Sequence, residues 1–359
     1  MATPGRSDVN DLSGFWAALP RPIVGLSPMD GITDVAARAM ACRHGDPSLT
    51  ITEFVSVEGL THGAVTLLTD LLYEPDHRPI VAQLYGVDPD AFRECATIAT
   101  ALGFDGIDIN MGCPASTVAN RGAGAALIKT PELARHLIRA ARQGVVDWAN
   151  GGDLHRLVRH AKVRREAVRR AQALGDRARR VIPVSVKTRV GFDTIEPERW
   201  MSELAEESPA AITLHGRTLK QLYSGRADWD AIGRARERLR GSDIVVLGNG
   251  DLADRSEAIE RARAYGLDGA LIGRATVGNP WALSGQSVTV VERLRGALEH
   301  ADAFETLLPD KPFFAVRKHL HGYCRGFDGA PELRRQLMFA TSAAHCRELI
   351  EPILVPLAA

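Results

Sequence analysis

The length, composition and charge of the chain exclude several classes of protein. Its 359 residues include 44 basic and 44 acidic side chains, so the formal net charge is zero and any attraction to nucleic acid must come from local patches. The five cysteines are scattered and form no Cys-x-x-Cys pair, which argues against a disulfide framework and a metal site. Because no signal pattern or membrane-length apolar run is present, we expect a cytoplasmic protein that does not insert in a membrane.

Eight short apolar segments have the pattern of buried β-strands, and helical patterns separate most of them. In chain order they are residues 23–26, 51–55, 79–84, 107–111, 182–187, 211–214, 244–247 and 269–272. This alternation predicts an α/β protein with a (β/α)8 TIM barrel. A doubly wound open sheet is the alternative, but it normally has fewer strands and a Gly-x-Gly-x-x-Gly first turn, which is absent after Leu26. The connection between Val57 and Glu74 has the least regular helical pattern.

A basic segment at about 147–180 lies between the fourth helix and the fifth strand of this pattern. Its apolar residues follow helical spacing, so we predict a helical insertion in the barrel. The other face carries Arg156, Arg159, Lys162, Arg164, Arg165, Arg169 and Arg170. A solvated helix face is the ordinary interpretation of such charges, and contact with an RNA backbone is the alternative.

The strand pattern stops near Val288, and helical periodicity continues to the end of the chain. We therefore predict a barrel domain over 1–287 and a C-terminal all-helical domain over 288–359. Basic and aromatic residues lie together in this tail, namely Arg317, Lys318, His319, Tyr323 and Phe327. This composition suits a plain helical cap and a nucleic-acid surface equally well.

Polar and charged residues follow almost every predicted strand. In a TIM barrel the reactive groups lie at the carboxyl ends of the strands, so these residues should meet at one mouth. They are Pro28, Met29, Asp30, Glu53, Gln83, Asn110, Cys113, Lys187, Arg189, His215, Arg217, Asn249, Gly250, Asp251, Gly273 and Arg274. Each has an ordinary structural interpretation alone, but their coincidence predicts an active site.

The loops after the last two strands indicate what that site binds. Residues 248–251 and 273–275 offer unhindered backbone N–H groups and one guanidinium, which is a phosphate cradle in such barrels. Sugar phosphates and flavin mononucleotide both use this cradle. Lys187 favours the flavin, since a nearby cation stabilises its anionic reduced form, and Gln83 could pair with the polar edge of the ring.

Cys113 is a lone thiol at the end of the fourth predicted strand, on a turn fixed by Pro114. A free cysteine in a βα turn is ordinarily a small buried hydrophobe. Its position at the carboxyl end of a barrel strand, facing a flavin site, favours a reactive role instead.

Five motifs in order resemble the tRNA-dihydrouridine synthase family. They are Asn110-Met-Gly-Cys-Pro114, Lys187-Thr-Arg189, His215-Gly-Arg217, Asn249-Gly-Asp251 and Gly273-Arg274, and the resemblance covers about residues 22–283 and, more weakly, the tail around Arg317. The segment Ile51-Thr-Glu-Phe-Val55 and the run from His215 to Trp229 are most similar to the bacterial C-type branch, which is associated with position sixteen of the tRNA D-loop.

The resemblance implies an FMN-binding barrel whose C-terminal helical domain grips tRNA, with NADPH or NADH reducing the flavin. It makes Cys113 the catalytic proton donor to C5 of a uridine whose C6 receives the hydride. The FMN contacts it implies are Pro28, Met29, Asp30, Gln83, Lys187, His215, Asn249, Gly250, Asp251, Gly273 and Arg274. To the substrate we assign Asn110, which the resemblance places beside the target base, and the cations Arg189, Arg217, Arg317 and Lys318.

The sequence departs from the family pattern in two places, and two other functions are alternatives to this hypothesis. Many family members have a lysine just behind the Cys-Pro pair, where this chain has Ala115-Ser116, and the 147–180 segment has no counterpart in the pattern. A flavin barrel acting on a small molecule, of the dihydroorotate or enoate type, would leave the basic tail unexplained. A non-catalytic RNA-binding barrel would leave the residues at the strand ends unexplained.

Overall fold

A ring of eight parallel strands forms the centre of the molecule. The structure, a computed structural model, describes residues 13–222 and 224–358. The strands are β1 (Ile23–Leu26), β2 (Thr50–Ser56), β3 (Ile80–Tyr85), β4 (Gly106–Met111), β5 (Val184–Gly191), β6 (Ala211–Thr218), β7 (Val245–Asn249) and β8 (Gly269–Ile272), and their order is β1-β8-β7-β6-β5-β4-β3-β2. The Ser48 N–H donates to Val24 O at 2.8 Å, and the Leu26 N–H donates to Leu49 O at 3.2 Å. These bonds connect β1 to the segment entering β2, so the predicted TIM barrel is confirmed.

Helices surround this ring and form the tail. They are α1 (Phe15–Ala18), α2 (Val35–Gly45), α3 (Val57–Thr61), α4 (Pro89–Ala101), α5 (Ser116–Ala119), α6 (Pro131–Ala149), α7 (Leu154–Leu157), α8 (Ala161–Leu174), α9 (Pro197–Ala205), α10 (Trp229–Arg238), α11 (Arg255–Ala264), α12 (Val290–Leu307), α13 (Arg317–Tyr323), α14 (Ala330–Leu337) and α15 (Ala343–Ala358). In the described part of the chain, no helix is long and apolar enough to cross a membrane.

The helix boundaries follow the local chemistry of the chain. The Asp88 carboxylate accepts from the Asp90 and Ala91 N–H groups, and Pro89 occupies the first turn of α4. The β2–β3 connection contains only α3 and the 3-10 turns Val65–Thr69 and Pro75–His77. Gly63, at φ +98°, takes a left-handed conformation that interrupts any longer helix there.

The two ends of the barrel differ in polarity. Trp16 of α1 shares a buried hydrophobic cluster with residues near the beginnings of four strands, namely Ile23, Val81, Val245 and Ala211. This apolar layer closes the amino-terminal end. The polar residues predicted from the sequence lie at the opposite, carboxyl-terminal end, which we call the mouth.

The tail has its own hydrophobic cluster, formed by α12 to α15. Its buried members include Leu294, Phe304, Val316, Leu320, Leu333, Leu337 and Ile350, together with Val35 and Ala36 of α2. The helices therefore pack on the α2 side of the barrel. α12 begins at Val290, with Thr289 and Glu292 forming a capping box. The division at 287/288 stays a prediction, and residues 1–12 and 359 of the predicted domains lie outside the described residues.

Helices α7 and α8 occupy the predicted insertion. The buried residues of this segment, Leu154, Val158, Val163, Ala167 and Ala171, belong to the main core. Several of the basic side chains pair with acids: Arg159 Nε lies 2.6 Å from Glu94 Oε2, and Arg169 and Arg170 both contact Glu166. In contrast, Arg156, Lys162 and Arg165 are exposed and form no ion pair with the described residues. The ion pairs support the ordinary interpretation for part of this face.

Candidate active site

A row of hydrogen-bonded side chains crosses three strands at the mouth. The register places Gln83 of β3 opposite Asp108 of β4, and Asp108 opposite Ser185 of β5. Gln83 Nε2 donates to Asp108 Oδ2 at 2.7 Å, and Ser185 Oγ donates to Asp108 Oδ1 at 2.8 Å. Because a carboxylate only accepts, Asp108 fixes the Gln83 amide with its nitrogen towards β4 and its oxygen free for another donor.

Asn110 connects this row to the turn that carries Cys113. Asn110 lies two residues beyond Asp108, so its side chain is on the same face of β4. Its Nδ2 donates to Gln83 Oε1 at 2.9 Å. Its Oδ1 accepts from the N–H groups of Gly112 at 3.0 Å and Cys113 at 2.8 Å. The position of the thiol is therefore set by a chain of bonds that begins on β5.

The Cys113 thiol is half-buried beside a tightly closed loop. The backbone carbonyl of Cys113 accepts a hydrogen bond from the Ala125 N–H at 3.1 Å. Gly124 has φ +60°, and a Cβ there would lie 2.7 Å from Cys113 O, so this position requires glycine. Burial raises the pKa of the thiol above its usual 9.0, against smaller opposing effects that include a backbone hydrogen bond. The thiol is therefore protonated at neutral pH and can serve as an acid.

Asp108 is the buried charge of this region, with 1% of its surface exposed. Burial raises the pKa of Asp108 to about 6, while the hydrogen bonds from Gln83 and Ser185 and the charge of Lys187 oppose the shift. Sequence reasoning missed Asp108 and Ser185. The sequence did contain a signal for Asp108: it is an acid inside an apolar strand, two residues before Asn110 and on the same face.

Lys187 lies two residues after Ser185 on β5, and its side chain faces the centre of the mouth. Its Nζ donates to Asn249 Oδ1 at 3.0 Å, and Asn249 Nδ2 donates to Leu271 O at 2.8 Å, which fixes the amide. Burial and the neighbouring Arg189 lower the pKa of Lys187 to about 8, although Asp108 opposes them. Lys187 forms no ion pair with any carboxylate among the described residues, so it can bind an anionic or accepting group.

Ion pairs dominate the other side of the mouth. The Asp251 carboxylate accepts from Arg217 Nη1 at 2.9 Å and Nη2 at 2.6 Å, and from Arg274 Nη2 at 2.7 Å. The Ala227 N–H donates to the same carboxylate at 2.8 Å. Burial acts to raise the pKa of Asp251, but these hydrogen bonds and charges outweigh it and hold the pKa below its usual value. Two cations therefore neutralise one acid and leave net positive charge.

His215 lies among these cations. Burial lowers the pKa of His215 well below its usual value, and the charges of Lys187, Arg189, Arg217 and Arg274 add to the shift. The imidazole is therefore neutral at neutral pH and can donate or accept a hydrogen bond without adding charge. The His215 ring also packs against the β7 loop. Its Cδ2 atom lies only 2.9 Å from the position that a Cβ on Gly250 would take.

The guanidinium groups of Arg189 and Arg217 bind the protein's own loops. Arg189 is 3% exposed; its Nε donates to Gly112 O at 2.7 Å and its Nη1 to Thr218 O at 3.1 Å. Arg217 is 2% exposed, and besides Asp251 its Nη2 donates to Gly225 O at 2.6 Å. These contacts hold the Cys113 turn and the β6 loop together. Contact of either arginine with the substrate stays a prediction.

The β1 loop, with Pro28, Met29 and Asp30, completes the ring of predicted cofactor contacts. The Met29 N–H donates to Thr33 Oγ1 at 3.0 Å, which closes the loop. A Cβ at Gly273 would lie 3.4 Å from Met29 Sδ, so the β1 and β8 loops are neighbours. Burial raises the pKa of Asp30, against the charges of Lys318 and Lys311 from the tail.

The tail reaches the mouth beside this loop. The Lys318 Nζ lies 3.3 Å from the position that a Cβ on Gly31 would take, and His319 Nε2 donates to Ile32 O at 3.0 Å. Tyr323 is buried, and Phe327 is half-buried against the core of the tail. The structure therefore brings Lys318 to the site and leaves neither of these two aromatic rings fully exposed.

Glu53 differs from the other strand-end residues because it faces the tail. Its Oε2 lies 3.7 Å from Lys311 Nζ, beyond hydrogen-bond distance, and has no hydrogen-bond partner among the described residues. Burial raises the pKa of Glu53 to about 7, although the charge of Lys311 opposes the shift. Glu53 thus connects β2 to the segment before α13 rather than to the centre of the mouth.

Neither a metal cluster nor a groove elsewhere on the surface competes with this location. Among the described residues, no group of three or more His, Cys, Asp and Glu side chains could hold a metal ion. A groove of about 860 Å³ lies between α2 and α12, lined by residues such as Arg43, Glu299 and Asp302, and none of the predicted site residues lines it. The hydrogen bonds and charges at the mouth therefore define the candidate site, and this groove does not.

The structure of this chain also has a distant likeness to solved structures. The structure of morphinone reductase in complex with tetrahydroNAD has a TM-score of 0.43 and 13% identity, over 76% of this chain and 88% of that chain. This likeness is too distant to bear on the fold or the chemistry.

Sequence comparisons identify the family. The family model described as "Dihydrouridine synthase (Dus)" matches residues 25–147 and 157–355, leaving out 148–156 within the predicted insertion. A "Probable tRNA-dihydrouridine synthase" of Staphylococcus epidermidis and a "Probable tRNA-dihydrouridine synthase 2" of Bacillus subtilis are each 33% identical to this chain, over 94% of it and 95% of each relative. The chain belongs to the dihydrouridine synthase family, as its five strand-end motifs predicted.

Proposed function

We propose that this protein reduces the C5=C6 bond of a D-loop uridine in cytoplasmic tRNA, with position sixteen the first to test. The observation that carries the proposal is the position of the Cys113 thiol at the mouth of the barrel, on a turn whose Cys113 N–H donates to Asn110 Oδ1, in a chain that belongs to this family. A uracil C5=C6 bond is conjugated to a carbonyl, so hydride addition at C6 leaves enolate charge towards C5, and a positioned acid must then protonate C5.

The residues at the mouth fit FMN. Lys187 is a desolvated cation with one neutral partner, and the β6–β8 side adds Arg274 and a neutral His215. This donor set suits a phosphate together with an anionic ring. Under the proposal FMN is held by Pro28, Met29, Asp30, Gln83, Lys187, His215, Asn249, Gly250, Asp251, Gly273 and Arg274. When bound, reduced FMN supplies the hydride, and NADPH or NADH restores its reduced state.

The protein's own groups then orient the base and supply the proton. Asn110 is fixed by Gln83 and by two backbone N–H groups, so it can present a defined edge to the uracil. The Cys113 Sγ gives its proton to C5, and its half-buried position favours the neutral thiol until that moment. The uridine must leave the folded tRNA to reach the thiol, at a cost of a few kcal/mol.

Local basic surfaces would offset that cost in a protein of zero net charge. Arg317 and Lys318 lie on α13, with Lys318 beside the β1 loop, and neither forms an ion pair with the described residues. Contacts of such cations with phosphates release counterions, so binding of tRNA should weaken steeply with salt.

The decisive test is to map dihydrouridine in tRNA from cells with and without this protein. We expect one D-loop dihydrouridine to disappear when the protein is absent and to return with the wild-type chain. Purified protein should be yellow from bound flavin and should modify the same tRNA in vitro. An unchanged dihydrouridine map would contradict the proposal, and a yellow protein with no affinity for tRNA would favour the small-molecule alternative.

A further inference from the structure

Two phenylalanine side chains stand out on the surface of the tail. Phe314 is 64% exposed and Phe339 is 72% exposed, the highest values for large hydrophobic side chains in the described part of the chain. A free phenyl ring in water is unfavourable, and single exposed apolar residues are common. Here both phenylalanines lie in segments that adjoin the basic residue Arg317.

The framework holds both rings outside the core. Phe314 lies in the 3-10 turn Phe313–Val316, whose Val316 is fully buried. Phe313 packs edge-on against Phe304, with ring centroids 6.0 Å apart. Because the neighbours of Phe314 are anchored in the tail cluster, its own ring has to face outwards.

The second phenylalanine is connected to the same region by a hydrogen bond. Phe339 follows α14, and the next residue, Ala340, is buried. Arg317 Nε donates to Ala340 O at 2.8 Å, and Arg317 begins α13 directly after the turn that carries Phe314. This bond joins the residue after Phe339 to the helix that follows Phe314, so both phenylalanines lie on segments next to Arg317. We call this region the Phe patch, defined as Phe314, Phe339, Arg317 and Lys318.

The Phe patch lies on the rim of the mouth. Lys311 Nζ lies 3.7 Å from Glu53 Oε2 of β2, and Lys318 lies beside Gly31 of the β1 loop. The chain between these two lysines therefore crosses the rim between β1 and β2, and Phe314 lies in that stretch. A molecule that inserts a group into the mouth would pass close to its ring.

The charges of the patch indicate the kind of partner. Arg317 and Lys318 form no ion pair with the described residues, and the carboxylate that the charge of Lys318 acts on is that of Asp30, so positive charge remains for a polyanion. Cations combined with exposed aromatic rings are what proteins use to hold single-stranded nucleic acid, because every base has a face that can stack on a ring. A purely apolar partner would leave the two cations desolvated and unpaired.

We propose that Phe314 and Phe339 stack against unpaired bases of the RNA next to the uridine that enters the mouth. This inference rests on the proposed function, since it takes the substrate to be tRNA. Drawing the uridine out of the tRNA fold breaks stacking between neighbouring bases. The two rings replace part of that lost stacking at the rim, so they act as positioning residues for the substrate and do not touch the reacting atoms.

The test compares full-length variants on unmodified tRNA. We expect Phe339→Ala and Phe314→Ala each to raise the Kd and the KM for tRNA roughly tenfold, with kcat nearly unchanged, because each removes one stacking contact. Phe339→Trp should keep the affinity, since it keeps an aromatic face. Met338→Ala is the matched control: Met338 is 42% exposed beside Phe339 but has no ring, and we expect no more than a twofold change.

Salt dependence separates stacking from charge. The slope of log Kd against log salt should be the same for Phe339→Ala as for the wild type, whereas Lys318→Gln should reduce it by about one. The thermal midpoint and flavin content of the Phe variants should match the wild type, because both rings are outside the core.

Three results would overturn the inference. The first is an unchanged Kd for tRNA in the double alanine variant, and the second is a loss of tRNA affinity in Phe339→Trp equal to that in Phe339→Ala. The third is a change of oligomeric state in Phe339→Ala without a change in tRNA affinity, which would make the patch a contact between copies of the chain. Failure of the proposed function looks different, because wild-type protein would then form no dihydrouridine. Wild-type protein that does not bind tRNA would contradict both.

Discussion

The two sides of the barrel mouth are built from different chemistry. On the β3–β5 side, amide, hydroxyl and backbone groups form one hydrogen-bonded chain around Asp108 and end on the N–H of Cys113. On the β6–β8 side, Asp251 lies between the guanidinium groups of Arg217 and Arg274. The first side holds a thiol in its neutral form, and the second offers fixed positive charge. Under the proposed function, the first side would donate the proton and the second would bind an anion.

Cys113→Ala should produce the largest effect, because it removes the acid from the β3–β5 side and leaves the β6–β8 side intact. We expect dihydrouridine formation to fall at least about 100-fold while FMN binding and NADPH oxidation continue. Mass spectrometry of digested tRNA and flavin absorbance measure the two outcomes. Cys42→Ala, which removes another half-buried thiol away from the strand ends, is the control and should stay active. Full product formation by Cys113→Ala would end the division of roles.

Arg217→Gln tests the β6–β8 side. Losing Arg217 leaves the Asp251 carboxylate with less compensation at the proposed phosphate site, so the Kd for FMN should rise roughly 10- to 100-fold. The double variant Arg217→Gln/Asp251→Asn removes the charge of both partners and should recover much of the affinity, as measured by flavin fluorescence titration. If the double variant binds FMN no better than Arg217→Gln alone, charge balance is not what this pair provides.

Asn110→Ala should have a smaller effect that is confined to the β3–β5 side. It removes the acceptor for the Gly112 and Cys113 N–H groups, so the turn and the thiol lose their fixed position. We expect kcat for tRNA to fall about tenfold with the Kd for FMN unchanged. Asn110→Asp is the informative partner, since its carboxylate still accepts from both N–H groups but cannot donate to Gln83. An equal rise in the Kd for FMN in both variants would mean that the two sides are not separable.

The barrel could be predicted from the sequence because buried parallel strands are short apolar segments whose pattern is local. The row around Asp108 could not, since it depends on the register that places Gln83 and Ser185 on either side of it. The strand-end arginines show the same limit. A cation such as Arg189 looks alike in sequence whether or not it donates, as here, to the carbonyls of its own loops.

The aromatic residues of the tail make the same point. The sequence showed aromatic rings interleaved with basic residues, and Tyr323 was among those singled out, but the packing of α13 buries it. The exposed rings, Phe314 and Phe339, lie in turns where no periodic pattern indicates a direction. Which ring faces solvent is decided by tertiary packing, and composition alone does not determine it.

The last expected effect concerns stability and not activity, and it isolates the buried charge of the β3–β5 side. The pKa of Asp108 is about 6 in the folded protein and its usual value is 3.8, so the folded state holds the proton more tightly. The stability that this proton contributes is fully present below the usual pKa and is lost as the pH rises through about 6. Relative to Asp108→Asn, the wild type should therefore lose about 2 kcal/mol of unfolding free energy between about pH 4 and about pH 7.

Urea denaturation of both proteins across this range measures the difference, and a second acid provides the contrast. Asp147 lies outside the mouth; burial acts to raise its pKa, but the hydrogen bonds from Arg93 and Gln143 and the charge of Arg93 together outweigh burial and hold the pKa below 3.8. The difference between wild type and Asp147→Asn should then be flat above about pH 5, since the group is ionised in both states there. If the difference in unfolding free energy between the wild type and Asp108→Asn also does not change with pH, Asp108 is as well solvated as a surface acid. The low-polarity environment assigned to the Cys113 side of the mouth would then be wrong.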